Sequence, residues 1–232
     1  MSRSIGARLA LACLCMATAC AAQAEAPAEF WPEASVYVAL GPATRLFLDL
    51  PYSTIPGSGT GTLGLAAYLD ISLLPLARLQ LREQDWQRSR FFWARVGVNH
   101  IVNSEDGTRS VAEDRAVVSL YGKAGLPEEI WLEARARADL RWIDGNYSTR
   151  YRFRLELTRE FTLLDRAVVP YANVEWFYDT RYDGLSRTRY QVGSEFTVSP
   201  HFRFELYGAH QVDQLPAASS LNALGVVAKW YY

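Results

Sequence analysis

Arginine and carboxylate side chains alternate with apolar residues through two adjacent segments of the chain. The first reads WLEARARADLRW (131–142) and the second reads YSTRYRFRLELTRE (147–160). A guanidinium group can bind phosphate, sulfate or carboxylate through paired hydrogen bonds, and it can equally neutralise a carboxylate of the same protein. The segments therefore carry the chemistry of oxyanion binding or of an internal ion-pair network. The elements that position these side chains decide between the two.

The spacing of two residues predicts that both segments are β-strands, because successive side chains of a strand point to opposite faces. A helical period of 3.6 would spread the arginines around the whole cylinder. The turn residues IDGN (143–146) between the segments predict a hairpin. Its charged face carries Glu133, Arg135, Arg137, Asp139 and Arg141 on one strand and Arg150, Arg152, Arg154, Glu156 and Glu160 on the other.

Long alternating segments of the same kind recur along the chain. They are 36–40, 45–50, 63–73, 92–102, 115–124, 131–142, 147–160, 172–178, 187–198, 202–206 and 224–232. Bacterial outer-membrane barrels of one chain have even strand numbers, which favours a further, weaker strand at 76–82. We therefore predict an all-β fold, an antiparallel transmembrane β-barrel of about 12 strands (10 to 12) with a polar, arginine-rich lumen.

A soluble barrel would reverse this assignment, with the apolar faces inside and the charged faces in water. The strands run to about a dozen residues, whereas soluble strands usually hold about five or six. This length suits a tilted membrane crossing of roughly 9 to 11 residues. Aromatic residues such as Trp142, Trp176 and Trp230 lie at strand ends, as they do in interfacial girdles. We therefore expect the apolar faces to contact lipid.

The first residues are typical of a secretory signal peptide. Arg3 and Arg8 precede an apolar run, and Ala22-Gln23-Ala24 is a small-x-small cleavage site. We predict a signal peptide at 1–24 and a barrel domain at 25–232, with every cysteine of the chain in the removed segment. Cleavage leaves 22 of the 24 basic residues against 25 acidic ones, a balance that predicts no nucleic-acid partner.

The chain ends in Lys229-Trp230-Tyr231-Tyr232, and an aromatic end of this kind resembles the C-terminal assembly signal of Gram-negative outer-membrane proteins. Within 155–196 the stretch VVPYANVEWFYDTRYDGLSRTRYQVGSEF follows an arginine-rich strand. Its Pro-Tyr start, its Glu-x-Phe-type centre and its Arg-x-Arg-Tyr before a glycine resemble a bacterial family of outer-membrane barrels carried as a domain of unknown function. The resemblance extends over most of the mature chain. It implies the fold and an outer-membrane location, and it brings no established activity.

If the apolar faces meet lipid, the charged faces line a lumen. We predict lumen-lining roles for Arg135, Arg137, Arg141, Arg150, Arg152, Arg154, Arg187, Arg189, Glu133, Asp139, Glu156, Glu160, Glu175, Glu195 and Glu205. With the C terminus in the periplasm, strand direction sorts the arginines mainly toward the extracellular end and the carboxylates toward the other. Two interpretations follow: an occluded barrel or small channel with a salt-bridged lumen, or an anion-selective porin for small acidic solutes.

An enzyme is the third and weakest class, and we predict no catalytic activity. An outer-membrane phospholipase or protease needs a nucleophile or activated water beside a base, usually histidine. His100 and His210 have no serine two residues away, and no zinc, phosphate-loop or calcium-loop spacing predicts a metal or cofactor. The expected partners are outer-membrane lipid, lipopolysaccharide, small anionic solutes and the barrel-assembly machinery, the last through Trp230 and Tyr232 of the terminal strand.

Overall fold

The computed structural model describes residues 28–56, 60–73, 91–104, 111–164 and 166–232. The described residues form β1 (Ala28–Ala39), β2 (Thr44–Thr54), β3 (Gly61–Ser72), β4 (Phe92–Ser104), β5 (Val111–Leu126), β6 (Ile130–Ile143), β7 (Asn146–Arg159), β8 (Phe161–Leu163), β9 (Arg166–Asp179), β10 (Gly184–Ser199), β11 (Phe202–Asp213) and β12 (Ser219–Tyr231). A single turn of 3-10 helix, Pro127–Glu129, joins β5 to β6. None of the described residues forms a helix long and apolar enough to cross a membrane.

The strands close into one barrel. Each strand from β1 to β7 pairs with the next, β7 pairs with β9, and β9 to β12 continue the ring until β12 meets β1. The three-residue β8 follows β7 after Glu160 and pairs with the start of β9, so it extends the β7 position and adds no further place in the ring. The barrel therefore has 11 strands plus one short extra strand. This architecture confirms the predicted all-β barrel and lies within its predicted range of strand numbers.

The expectation of an even strand number is wrong. β1 and β12 pair in parallel, with Ala34 opposite Ala228 and Val36 opposite Trp230, as an odd-numbered ring requires. The strand predicted at 76–82 lies outside the described residues. Because β3 and β4 pair directly with each other from Gly61–Ser104 to Ser72–Trp93, no strand lies between them in the ring.

Odd closure places the two ends of the barrel sequence at opposite rims. β1 begins at one end, which we call the N-terminal rim, and β12 ends at the other, which we call the C-terminal rim. The turn between β6 and β7 lies at the N-terminal rim. Its Asp144 and Gly145 both have positive φ, 47° and 80°, as a two-residue hairpin turn requires, and the predicted hairpin is confirmed.

The outer surface of the barrel is apolar. Leu65 is 63% exposed and Val98 is 61% exposed, although both lie in the middle of strands. Apart from β8, the strands hold 11 to 16 residues, enough to cross a bilayer at a tilt. Ring pairs lie near the rims, including Trp142 with Tyr147 at the N-terminal rim. The outer face thus has the apolar band and aromatic margins that the alternation predicts.

An aromatic ladder on the inner face spans the parallel seam. Tyr231 of β12 stacks on Tyr37 of β1 with ring centroids 4.8 Å apart, and Tyr37 stacks on Phe47 of β2 at 4.5 Å. Phe47 in turn stacks on Tyr68 of β3 at 5.4 Å. Parallel pairing is slightly weaker per residue than antiparallel pairing, so side-chain stacking across this junction adds stability where the backbone ladder is least stable.

Direct neighbours in the parallel seam are testable by cross-linking. We expect the double variant Ala34→Cys/Ala228→Cys to form a disulfide in the folded barrel, because paired strands lie about 4.8 Å apart. Residues 25–232 contain no other cysteine, so gel mobility before and after reduction reports this bond alone. The control Ala34→Cys/Ala138→Cys places the second thiol on β6, across the barrel, and should stay reduced. A barrel closed through a strand between β1 and β12 would leave both pairs reduced.

The aromatic ladder predicts a stability difference. Tyr37→Ala removes a ring that is 6% exposed and is stacked on both sides, so we expect unfolding in detergent to need about 3–5 kcal/mol less free energy. Tyr52→Ala removes a ring on the outer face of β2 that is 39% exposed, and it should change the free energy of unfolding far less. Equal losses in urea titrations of the two variants would contradict a role of the ladder in closing the ring.

Candidate functional site: the charged lumen

The structure places the predicted charged faces inside the barrel. Glu160 lies between β7 and β8 and lines the lumen cavity. The other predicted positions occupy the inner faces of their strands: Arg135, Arg137, Arg141, Arg150, Arg152, Arg154, Arg187, Arg189, Glu133, Asp139, Glu156, Glu175, Glu195 and Glu205. Their roles in any transport or binding stay predictions.

Five charged side chains fill the lumen near the N-terminal rim. Fully buried Asp179, at the end of β9, accepts hydrogen bonds from Arg141 at 2.7 Å and from Arg150 at 3.0 Å. Arg181 of the following loop adds bonds of 3.0 and 3.1 Å to the same carboxylate. Arg141 also binds Glu113 of β5, with one contact of 3.0 Å. We call these residues the Asp179 cluster; they join the neighbouring strands β5, β6, β7 and β9 on one side of the lumen.

A second group of ion pairs lies at mid-height. Arg137 donates to Asp139 at 2.5 Å, and Arg152 donates to Glu175 at 2.8 and 3.0 Å. Arg135 also donates to Glu175, and Arg152 lies 3.7 Å from Asp139. Each carboxylate thus contacts two guanidinium groups. Buried charges in such pairs avoid the large cost of an isolated charge in a low-dielectric interior.

A third group lies near the C-terminal rim. Glu195 accepts from Arg203 at 2.9 Å and from Lys229 at 2.7 Å, and Lys229 also lies 2.5 Å from Glu205. Tyr171 donates its hydroxyl to Glu205. The network therefore links β9, β10, β11 and β12 on one side of the lumen.

The predicted segregation of charge between the two rims stays a prediction, and the structure adds groups of the opposite sign at each rim. Glu113 and Asp213 add negative charge near the N-terminal rim, where Asp213 lies 2.5 Å from Arg187. Arg154 lies toward the C-terminal rim, 3.2 Å from Glu133, and Lys229 adds positive charge there. Partners come from strands far apart in sequence, so sorting only the arginine-rich strands by height left out the charges that neutralise them.

A further buried ion pair was missing from the prediction. Arg45 of β2 and Arg95 of β4 both bind fully buried Asp70 of β3, at 2.7 Å and 2.6 Å respectively. The Arg95 guanidinium lies over the Phe47 ring at 4.2 Å, and that of Arg45 lies over the Tyr37 ring at 4.3 Å. The signal was present in the sequence, because Tyr68 and Asp70 share the polar parity of one strand.

The lumen contains a cavity of about 380 Å³. Its walls include Lys123, Trp131, Thr158 and Val169, which lie at the strand ends of the C-terminal rim. The Asp179 cluster does not line it. Asp179, Arg141 and Gln211 are at most 3% exposed, so side chains pack closely in the described lumen near the N-terminal rim, whereas the cavity extends to the C-terminal rim.

Two carboxylates in the cavity wall lack a basic partner. Glu33 of β1 and Asp49 of β2 share the hydroxyl of Ser35, at 3.2 Å and 2.9 Å, and neither forms a salt bridge within the described part of the chain. The sequence prediction missed Glu33 because Pro32 interrupts the alternation before residue 36. β1 nevertheless continues back to Ala28.

One lumen arginine has no carboxylate partner within the described residues. Arg189 donates to the Gln211 side-chain oxygen at 3.1 and 2.7 Å, and its guanidinium stacks over Trp31 at 4.8 Å and Phe177 at 5.4 Å. Arg189 lines the part of the cavity nearer to the N-terminal rim. Arg189 is therefore the predicted lumen-lining arginine that forms no salt bridge within the described structure, and its charge remains available to a solute.

The comparisons with known proteins agree with this geometry. A family model described as "Protein of unknown function (DUF2490)" matches residues 82–222. The chain belongs to this family. The match covers the arginine-rich hairpin and most strands of the DUF2490 barrel, and it confirms the resemblance to a barrel family carried as a domain of unknown function. No curated protein matches the sequence.

A solved structure supports the fold of the DUF2490 barrel. The crystal structure of the beta domain of the Bordetella autotransporter BrkA is similar to it with a TM-score of 0.51 and 14% sequence identity. The alignment covers 79% of this chain and 82% of the BrkA chain. At this identity the likeness concerns the fold alone, an outer-membrane-type β-barrel.

The histidines of the DUF2490 barrel lie away from the lumen groups. His100 and His210 occupy the outer faces of β4 and β11, where they pair with Asp114 at 2.7 Å and Asn222 at 2.9 Å. His201 contacts the Tyr231 carbonyl at the C-terminal rim. In the described ranges, no group of three or more His, Cys, Asp or Glu side chains is arranged to hold a metal ion.

The Asp179 cluster predicts a large loss of stability on neutralisation. Asp179→Asn would leave Arg141, Arg150 and Arg181 without their shared anion, so we expect unfolding in detergent to need about 3–5 kcal/mol less free energy. The matched control Asp213→Asn alters a pair whose side chains are 30% and 20% exposed, and should cost about 1 kcal/mol or less. Equal effects in denaturant titrations would contradict the central position of Asp179.

Proposed function

We propose that this protein is an outer-membrane β-barrel with an occluded lumen whose cavity faces the periplasm. The observation that carries this proposal is the Asp179 cluster, whose buried Asp179, Arg141 and Glu113 join neighbouring strands in the N-terminal half of the lumen. Closely paired guanidinium and carboxylate groups leave little room and little free charge for a permeating ion. With the C-terminal rim in the periplasm, as in our sequence interpretation, the filled half lies toward the cell surface.

The apolar outer face and the terminal aromatic residues support a membrane location. Leu65 and Val98 are exposed in mid-strand, where a bilayer would cover them. Trp230 packs on Phe202 on the outer face, and Tyr232 is 68% exposed at the chain end. We propose outer-membrane lipid and lipopolysaccharide as the surroundings of the barrel, and recognition of its last strand by the barrel-assembly machinery.

An anion-selective porin is the second candidate, and one observation favours it. Arg189, stacked on Trp31, has no carboxylate partner in the described structure and therefore offers positive charge to a small acidic solute. The ion pairs beside Arg189 favour an occluded lumen over a porin. A lumen that opened at the N-terminal rim would turn the same arginine into part of a solute path.

We propose no catalytic activity for the barrel. His100 and His210 bind a carboxylate and an amide on the outer face, and among the described residues no serine or threonine hydroxyl hydrogen-bonds to either ring. A nucleophile next to a base is the arrangement that hydrolytic chemistry requires. Hydrolysis of phospholipid or peptide by the purified protein would overturn this proposal.

Planar-bilayer recording tests the occlusion. We expect the refolded mature protein to give no discrete steps. The charge-neutral variant Glu113→Ala/Arg141→Ala/Arg150→Ala/Asp179→Ala should give discrete steps, because it removes four of the five side chains of the Asp179 cluster. Leu65→Ala/Val98→Ala on the outer face is the control, and heat-modifiable gel mobility verifies folding of all three proteins.

Each outcome of the recording is decisive. Discrete anion-selective steps from the unmodified protein would overturn the occluded lumen and favour the porin. If neither the unmodified protein nor the folded quadruple variant conducts, the Asp179 cluster is not what closes the lumen.

A further inference from the structure

The lumen cavity carries opposite charges on opposite walls. In the ring, β1 and β2 lie five strands from β6 and β7, which places the two pairs of strands on opposing sides of the barrel. Glu33 and Asp49 belong to the first wall, and Arg137 and Arg154 belong to the second; all four line the cavity. A solute in this space therefore meets carboxylates on one side and guanidinium groups on the other.

The acidic wall forms no salt bridge within the described part of the chain. Glu33 and Asp49 lie close enough to share the Ser35 hydroxyl, and carboxylates at this distance repel each other. Lys229, the basic residue of the adjoining strand, is bound to Glu195 and Glu205. An ammonium group placed against Glu33 and Asp49 would remove the repulsion and receive charge-assisted hydrogen bonds.

The basic wall holds more donors than its carboxylates use. The Nε atoms of Arg135 and Arg154 are buried without a hydrogen-bond partner among the described residues. Arg137 uses its Nε on Asp139, and its terminal nitrogens make no hydrogen bond within the described chain. The terminal nitrogens of Arg137 suit the oxygens of a carboxylate or phosphate.

The cavity wall also contains an unsatisfied acceptor. Asn173 of β9 is 8% exposed and lines the cavity, and its side-chain oxygen has no partner within the described structure while its amide nitrogen donates to Glu156 at 3.1 Å. Buried polar groups are normally satisfied, so this wall keeps hydrogen-bonding capacity that the described chain does not use.

We propose that the cavity binds a small zwitterionic solute, with an ammonium group against Glu33 and Asp49 and a carboxylate or phosphate against Arg137. The proposal rests on the proposed function, because a cavity closed at the N-terminal end retains a solute that a through-pore would pass. Its volume of about 380 Å³ lies at the lower end of the range for small-molecule sites. The bound solute bridges the lumen and neutralises both walls at once.

Calorimetry on the refolded mature protein in detergent tests this with three matched probes. They are ε-aminocaproate, its amide, which lacks the carboxylate, and its N-acetyl derivative, which lacks the ammonium. We expect ε-aminocaproate to bind at least about tenfold more tightly than either derivative, the effect of one charge-assisted hydrogen bond. Shorter γ-aminobutyrate, which spans less of the lumen, should bind more weakly than ε-aminocaproate.

Variants separate the two walls. Glu33→Gln/Asp49→Asn should reduce the affinity for ε-aminocaproate to that of the N-acetyl derivative and leave the latter's own affinity unchanged. Arg137→Gln should weaken both probes that carry a carboxylate. The control Asp213→Asn, in the filled half of the lumen, should behave as the unmodified protein.

Two results would overturn the zwitterion site. One is equal affinity of the unmodified protein for all three probes, and the other is binding of none of them. Both results come from the unmodified protein, so they hold even where a variant fails to fold. Conductance tests the occlusion separately. If the barrel does not conduct and binds none of the three probes, only the zwitterion site is contradicted. If the barrel conducts and binds ε-aminocaproate, only the occlusion is contradicted.

Discussion

The structure depends on one constraint: because the outer surface of the barrel faces lipid, the charged side chains must point into the lumen. A strand that presents leucine and valine to a bilayer must present its alternate residues to the lumen, and this chain places arginines and carboxylates there. Isolated charges in so narrow a space would be very costly, so each must find a partner across strands. The Asp179 cluster and the Arg45–Asp70–Arg95 group show the result, with fully buried carboxylates that each contact two or more guanidinium groups. The occlusion that we propose would follow from this pairing.

The odd strand number imposes a second constraint. An eleven-strand ring can close only through a parallel pair, and β1 and β12 form it along ten residue pairs. The stacked rings of Tyr231, Tyr37 and Phe47 cross this junction on the inside. They also occupy the lumen beside β1 and β2, so the residues that close the barrel help to fill it. The free carboxylates of Glu33 and Asp49 lie on the same two strands, above the aromatic ladder.

The alternation in the sequence was sufficient for the fold and for the inward direction of the arginines. A period of two depends only on local geometry, and 131–160 keeps it without interruption. Partners were not predictable, because Arg135 and Glu175 are 40 residues apart and their contact depends on the register of several strands. Glu33 was missed where Pro32 breaks the pattern. The even-number rule added a strand at 76–82, outside the described residues, whereas β3 and β4 pair directly with each other in the ring.

The central claim is that the lumen is filled at one end and open to solutes at the other, and thiol reactivity tests it most directly. Gln191 lines the cavity, and Gln211 is 2% exposed in the filled half. In detergent both rims meet solvent, so a small water-soluble methanethiosulfonate should label Gln191→Cys rapidly. It should label Gln211→Cys more than about tenfold more slowly, because thiol reaction depends on access. Equal, rapid labelling of the two variants would contradict the account and show an open lumen.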